Sequence, residues 1–173
     1  FHLIGESVGG TISLYTAINA PDRILSVTAL STGHRGNYIQ QVGGWREMVE
    51  KDGFAVWTEK MMEHRFYPGA VDEDIYDWFA ETQADSSPET TLALGEMLMA
   101  QDLSGELEKI NCPVLLIHPD SSPFLPVTIS AEIHSLLPNS EMMVIPHTKQ
   151  AIACSHATES SIAFMDFLSE RVV

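Results

Sequence analysis

Apolar residues along this chain follow two spacings. Four short runs have the length and β-rich character of buried strands: Phe1-His2-Leu3-Ile4, then 24–30, then Pro113-Val114-Leu115-Leu116-Ile117-His118, then Glu141-Met142-Met143-Val144-Ile145. Elsewhere apolar positions recur every three or four residues, which predicts helices over 11–17, 45–50, 57–62, 75–79, 92–100, about 127–137 and 155–171. The last of these is expected to bury Ile162, Phe164, Met165, Phe167 and Leu168. Pro21-Asp22-Arg23 breaks the first helix, and Ser87-Pro88-Glu89 offers an N-cap with proline at the first helical position. A strand, a crossover helix and a second strand within about thirty residues make a βαβ unit, so those strands are expected to be parallel. The pattern therefore predicts an α/β fold. Segments 1–32 and 111–173 supply the sheet, and a helical segment, 33–110, interrupts it.

Composition narrows the classes. At 173 residues, 45% hydrophobic and 19% charged, the chain has the size of one domain and can bury a core. No apolar run reaches the roughly 20 residues needed to span a bilayer, and no leader pattern is visible, although a missing N-terminus would hide one. Nine basic against 24 acidic residues give a formal charge of -15, which argues against nucleic acid or an anionic membrane as partner and favours a role in solubility. Cys112 and Cys154 are too few for a disulfide framework, and their apolar or small neighbours suggest buried free thiols in a cytoplasmic protein. Neither they nor the seven histidines have zinc-ligand spacing, so no metal or cofactor is expected. Trp45, Trp57 and Trp78, with Met48, Met61, Met62, Met97 and Met99, crowd the helical segment, and their helical spacing reads as core rather than as a ligand box.

Candidate chemistry starts at Gly5-Glu6-Ser7-Val8-Gly9, which lies between the first strand and the first helix. A turn this tight strains the serine backbone, and Gly5, Gly9 and Gly10 would let strand and helix approach. The hydroxyl would then project at the positive end of the helix. The plainer alternative is an ordinary βα turn. The G-x-S-x-G in this context resembles the nucleophile elbow of α/β-hydrolases. The order of elements along the whole chain resembles the C-terminal portion of that family: strands 5–8 with flanking helices, plus a helical cap between the sixth and seventh strands, as in the esterase, lactonase and carbon–carbon hydrolase branch. Phe1 opens directly on a strand, without Met and with no room for the strands that normally flank the elbow. The chain is therefore expected to come from a longer polypeptide, with an N-terminal segment of the same hydrolase covering the sheet edge beside Phe1–Ile4. A homodimer is also compatible with the sequence.

The resemblance implies Ser7 as nucleophile, the Val8 N–H as an oxyanion donor, and a carboxylate and a histidine on the later loops. The family's acid motif, G-D-x-D-P-x-x-P, matches Pro119-Asp120-Ser121-Ser122-Pro123-Phe124-Leu125-Pro126. Its usual acid position falls on Ser122, leaving Asp120 as a shifted acid or as a loop-capping residue. The family's base motif, I-P-G-x-G-H, matches Ile145-Pro146-His147-Thr148-Lys149-Gln150, so Gln150 stands where the base is expected. Glutamine cannot take a proton at neutral pH. His147 in the same loop and His156 near the last helix are the substitutes, and loss of the base is the remaining alternative. His34, after the second strand, is expected at the cleft mouth as a substrate contact, and Glu6 is expected to orient its loop. The implied activity is a serine hydrolase acting on a small acyl substrate: an ester, lactone, thioester or activated ketone. The alternative is a non-catalytic small-molecule binder of the same fold.

Overall fold

The computed structural model of the protein describes residues 1–172. Its first strand, β1 (His2–Glu6), leads through Ser7 into α1 (Val8–Asn19) and back to β2 (Ser26–Leu30). Four helices follow: α2 (Trp45–Asp52), α3 (Phe54–Arg65), α4 (Glu73–Ala84) and α5 (Pro88–Ala100). The chain then returns to β3 (Val114–Pro119), α6 (Val127–Leu136), β4 (Ser140–Ile145), α7 (Ile152–Ser155) and α8 (Ala157–Arg171). The four strands form one parallel sheet in the order β1-β2-β3-β4. Their registers run His2 against Ser26, Val27 against Val114, and Val114 against Ser140, which brings the four C-terminal ends out along one rim. In such sheets the rim beyond the C-terminal ends is where ligands bind.

The two inner strands, β2 and β3, are buried along their whole length, as their continuous apolar runs require when helices cover both faces. Alternate side chains feed two cores. Val114 and Leu116 pack with Leu14, Ile129 and Ile133 on one face, and Leu115 and Ile117 pack with Ile145, Ile152 and Phe167 on the other. The α5 start forms as its sequence demands: Ser87 accepts from the Thr90 N–H at 3.2 Å, and Pro88 occupies the first helical position. The ends of the helical segment are tied together by an isolated bridge, Arg35 to Asp102, and by hydrogen bonds from Gly36 N to Gln101 O and Leu103 N to His34 O, at 2.8 and 2.9 Å. A third cluster, Met62, Phe66 and Ala151, fastens α3 to the loop before α7. Among the described residues, no helix is long and apolar enough to cross a membrane.

Several local expectations are corrected. β1 is not a buried strand: among the described residues no strand pairs with its outer side, and Phe1 and Ile4 are 53% and 57% exposed. The closing helix expected over 155–171 forms as Ala157–Arg171, but a short unexpected helix, Ile152–Ser155, precedes it across a break at His156 (φ -131°, ψ 46°). On α8 only Phe167 of the expected set is fully buried, whereas Ile162 and Met165 are 56% and 61% exposed. Trp78 is exposed rather than core, and both cysteines are free and only half-buried.

Candidate active site

Ser7 has φ 54° and ψ -119°, a conformation that a non-glycine residue holds only where its surroundings impose it, at roughly 1–3 kcal/mol. The surroundings here are specific. The Ser7 N–H donates to the Leu30 carbonyl at 2.9 Å, and the Ser7 carbonyl accepts from Gly10 and Thr11 N–H at 3.0 and 3.2 Å, which starts α1. A Cβ on Gly5 would run into the Gly9 carbonyl, and one on Gly10 would run into the Thr32 hydroxyl. Gly9, expected to serve the same purpose, has open space where its Cβ would lie. The close approach of α1 to β1 therefore rests on Gly5, and its approach to Thr32, past the end of β2, on Gly10. Val8 follows at the first helical position, where N–H groups lack intrahelical acceptors.

Each strand delivers one polar residue to the rim. Ser7 follows β1, Ser31 follows β2 (also at positive φ, 47°), Ser122 lies in the loop after β3, and Gln150 lies in the loop after β4. Gln150 is buried and hydrogen-bonded through both ends of its amide. Its Nε2 donates to the Ser31 carbonyl at 3.3 Å, and its Oε1 accepts from the Ser31 and Ser122 hydroxyls at 2.8 and 2.9 Å. A carbonyl only accepts, so the atom facing Ser31 O must be the amide nitrogen. The atom facing the two hydroxyls must then be the oxygen. Both hydroxyl protons thus point at Gln150. Ser122 Oγ in turn accepts from the Phe124 and Leu125 N–H groups at 3.2 and 3.1 Å. The pairing of Ser122 with Gln150 is a neutral hydrogen bond in the place where the family resemblance expects a carboxylate and an imidazole.

Ser7, Val8, Ser31 and Gln150 all line one cavity of about 170 Å³ between the rim and the helical segment. Its far wall comes from Trp45, Trp57, Leu94 and Leu98, with Phe124 from the β3–α6 loop and Arg65 from the end of α3. Trp57 stacks on Phe54 with ring centres 5.1 Å apart and meets Trp45 edge-on at the same distance. Arg65 and Ser31 were not singled out by the sequence, and Trp45 and Trp57, read there as core rather than as a ligand box, both pack in the core and line the cavity. Only Ser31 carried a signal, as a polar residue just past the end of an apolar strand.

The structure does not bring Asp120 and His147 to this cavity. Asp120 is exposed, and its two oxygens accept from the His147 N–H at 2.8 Å, the Thr148 N–H at 3.2 Å and the Ser121 hydroxyl at 2.8 Å. Those donors, the His147 N–H first, hold its carboxyl below the usual aspartate range. It fastens the β4–α7 loop. His147, at φ 56°, is exposed and stacks flat on Tyr67 at 4.7 Å. His156 contacts Ser155 Oγ through Nδ1 at 3.0 Å at the helix break, away from the cavity.

His34 is corrected outright: it is fully buried beneath the rim, not at a cleft mouth. Its Nε2 lies 3.6 Å from Glu132, which also pairs with Arg35, and burial lowers its pKa. Glu6 accepts from the Ile152 and Ala153 N–H groups at 2.8 and 3.4 Å and so fixes the start of α7. Burial raises its pKa from 4.5 to about 7. Among the described residues, no three His, Cys, Asp or Glu side chains lie together as a metal site.

A parallel sheet, a strained serine corner between its first strand and helix, and a ligand-sized cavity over the strand ends define an α/β-hydrolase architecture. A family model of the alpha/beta hydrolase fold matches residues 1–152, and the chain belongs to that family. It is similar to 3-oxoadipate enol-lactonase 2 of Acinetobacter baylyi, with 26% identity over 166 residues, 90% of this chain and 61% of the lactonase. By structure it resembles the enol-lactonase of Burkholderia xenovorans, at TM-score 0.87 and 17% identity, covering 96% of this chain and 65% of the other. It also resembles a bromoperoxidase from Bacillus anthracis, at TM-score 0.85 and 23% identity over 98% of this chain and 67% of the other. These structural likenesses describe the fold. The chain spans about three-fifths of the length of the curated relatives it matches.

Proposed function

We propose that the chain carries a serine-hydrolase-type site for a small ester, lactone, thioester or activated ketone, with Ser7 as nucleophile and the Val8 N–H as oxyanion donor. Ser122 and Gln150 stand in the acid and base positions, so turnover is slow. The observation that carries this reading is the shared cavity: strained Ser7 and hydrogen-bonded Gln150 line the same apolar pocket. Attack of Ser7 Oγ on a carbonyl forms an acyl ester and expels the alcohol, and water then hydrolyses that ester. In both steps a histidine normally carries the proton, a contribution of about 10²–10⁴ in rate. Gln150 can hydrogen-bond the hydroxyl but cannot take its proton. The free thiols are consistent with a reducing compartment, and we place the protein in the cytoplasm.

A second reading, a non-catalytic binder of the same small acyl compounds, is favoured by the occupied hydrogen bonds of Gln150. A fluorophosphonate probe separates the two. The hydrolase reading expects slow, stoichiometric labelling at Ser7, abolished by Ser7→Ala. Folded protein that stays unlabelled, yet melts at a higher temperature with an ester present, supports the binder and contradicts the hydrolase.

A further inference from the structure

A second cavity, of about 390 Å³, adjoins the one that holds Ser7. Val42, Trp45 and Gly95 line both, and the remaining walls differ. Trp57 and Phe124 meet the Trp45 ring edge-on, with centres 5.1 and 6.2 Å away, and line only the Ser7 cavity. Leu92 and Met99, with the exposed Arg46 and Glu96, line only the second, which lies outward. The Trp45 indole therefore stands as a partition between an inner and an outer cavity, on the wall opposite Ser7.

Packing holds the partition in place. α5 carries Gly95 in mid-helix, where alanine would favour the helix more. A Cβ at that position would lie 3.2 and 3.3 Å from Trp45 ring carbons and 3.2 Å from the Val42 Cγ1 methyl, tighter than ordinary contact. Glycine thus leaves the indole its seat against α5. The Trp45 N–H makes no hydrogen bond, so the contacts that fix the ring are apolar, and removing the ring would strand no polar partner.

Volume then sets a limit. An apolar cavity of roughly 150 Å³ takes one six-membered carbon ring, and the inner cavity is about that size at 170 Å³. Small-molecule pockets usually enclose about 300–1,000 Å³, a range that the inner cavity alone does not reach and the two joined would.

We propose that Trp45 sets the length of acyl chain that this site accepts. The chain runs from a carbonyl over Ser7 to the indole and stops there, so substrates carry acyl groups of about six carbons or fewer. The outer cavity is closed to them while the ring is in place. The inference rests on the acyl site proposed above and adds its size limit.

4-Nitrophenyl butanoate and 4-nitrophenyl octanoate test the limit through a burst of 4-nitrophenolate. In that burst the Ser7 oxygen bonds to the acyl carbon, the nitrophenolate leaves, and the Ser7 proton passes to water. Wild-type protein is expected to acylate from the butanoate at least about tenfold faster than from the octanoate. The octanoate-to-butanoate ratio should rise about tenfold or more in Trp45→Ala, and by less in Trp45→Leu. Met99→Trp, added to Trp45→Ala, should fill the outer cavity and bring the ratio back down, while Met99→Trp alone leaves it unchanged. A merely loosened fold would not show that reversal.

A wild-type ratio near one, a ratio that Trp45→Ala does not move, or one that Met99→Trp leaves raised overturns the inference. Should Trp45→Ala fail to fold, Trp45→Leu decides: a raised ratio upholds the limit, and an unchanged one overturns it. A burst of equal rate from both esters, abolished by Ser7→Ala, sinks only the length limit. No burst from either ester sinks the acyl site with it.

Discussion

Glu6 shows how one side chain near the elbow ties the site to pH. Its folded pKa, about 7, lies above the ordinary 4.5 because burial disfavours the carboxylate. A group raised in the folded state stabilises it fully below its unfolded pKa, and that contribution is lost as pH rises through the folded value. Wild-type protein should therefore lose stability relative to Glu6→Gln between about pH 4.5 and pH 8, by up to about 3 kcal/mol. Glutamine keeps an oxygen for the Ile152 and Ala153 N–H groups. His34, His64 and His118 have pKa values lowered by burial, so they act with the opposite sign and are common to both proteins. Urea unfolding of both proteins across this range reads the difference, and parallel curves would contradict it. At this scale the sequence was legible where spacing fixes position, as at Ser7 and at Gln150, four residues past Pro146. It was illegible where burial depends on partners far along the chain. His34 looked like a rim residue because nothing near it announces Glu132, and Arg65 carried no local mark of the cavity it faces.

Elements were read best where both faces are covered. The apolar runs of β2 and β3, and the Ser87-Pro88 start of α5, emerge nearly residue for residue, since burial and capping act locally. The misses are edges and ends. An apolar run predicts a strand but not whether it has a neighbour, and Ile162 and Met165 have the right spacing for a buried stripe on a helix that covers less of the sheet than its length suggests. The free edge of β1 also carries a consequence. Phe1 and Ile4 are exposed along it, and Ile12 and Tyr15 are exposed on α1, which packs against it. Unpaired apolar edges template association, so we propose that a further strand, from an N-terminal partner segment, covers β1. The 173-residue chain purified by itself should then aggregate or associate. A monodisperse, folded species of 19.1 kDa by light scattering and intact mass would refute this.

In the whole molecule, a parallel sheet presents four polar residues along one rim, and the helical segment sets a largely apolar wall, with Arg65 in it, over them. The sheet supplies the corner that strains Ser7, and the helices supply the cavity. Neither part makes a site alone. What sets this arrangement apart is that Ser122 and Gln150, which hydrogen-bond each other and Ser31, occupy the positions where acid and base are expected. The most direct test is the rate of 4-nitrophenyl acetate hydrolysis by the Ser122→Asp/Gln150→His double variant beside the wild type. If Ser7 is a poised nucleophile lacking only its proton carrier, the double variant should gain about 10²-fold or more, and adding Ser7→Ala should remove that gain. A folded double variant no faster than the wild type, or a gain that persists without the Ser7 hydroxyl, would contradict the account.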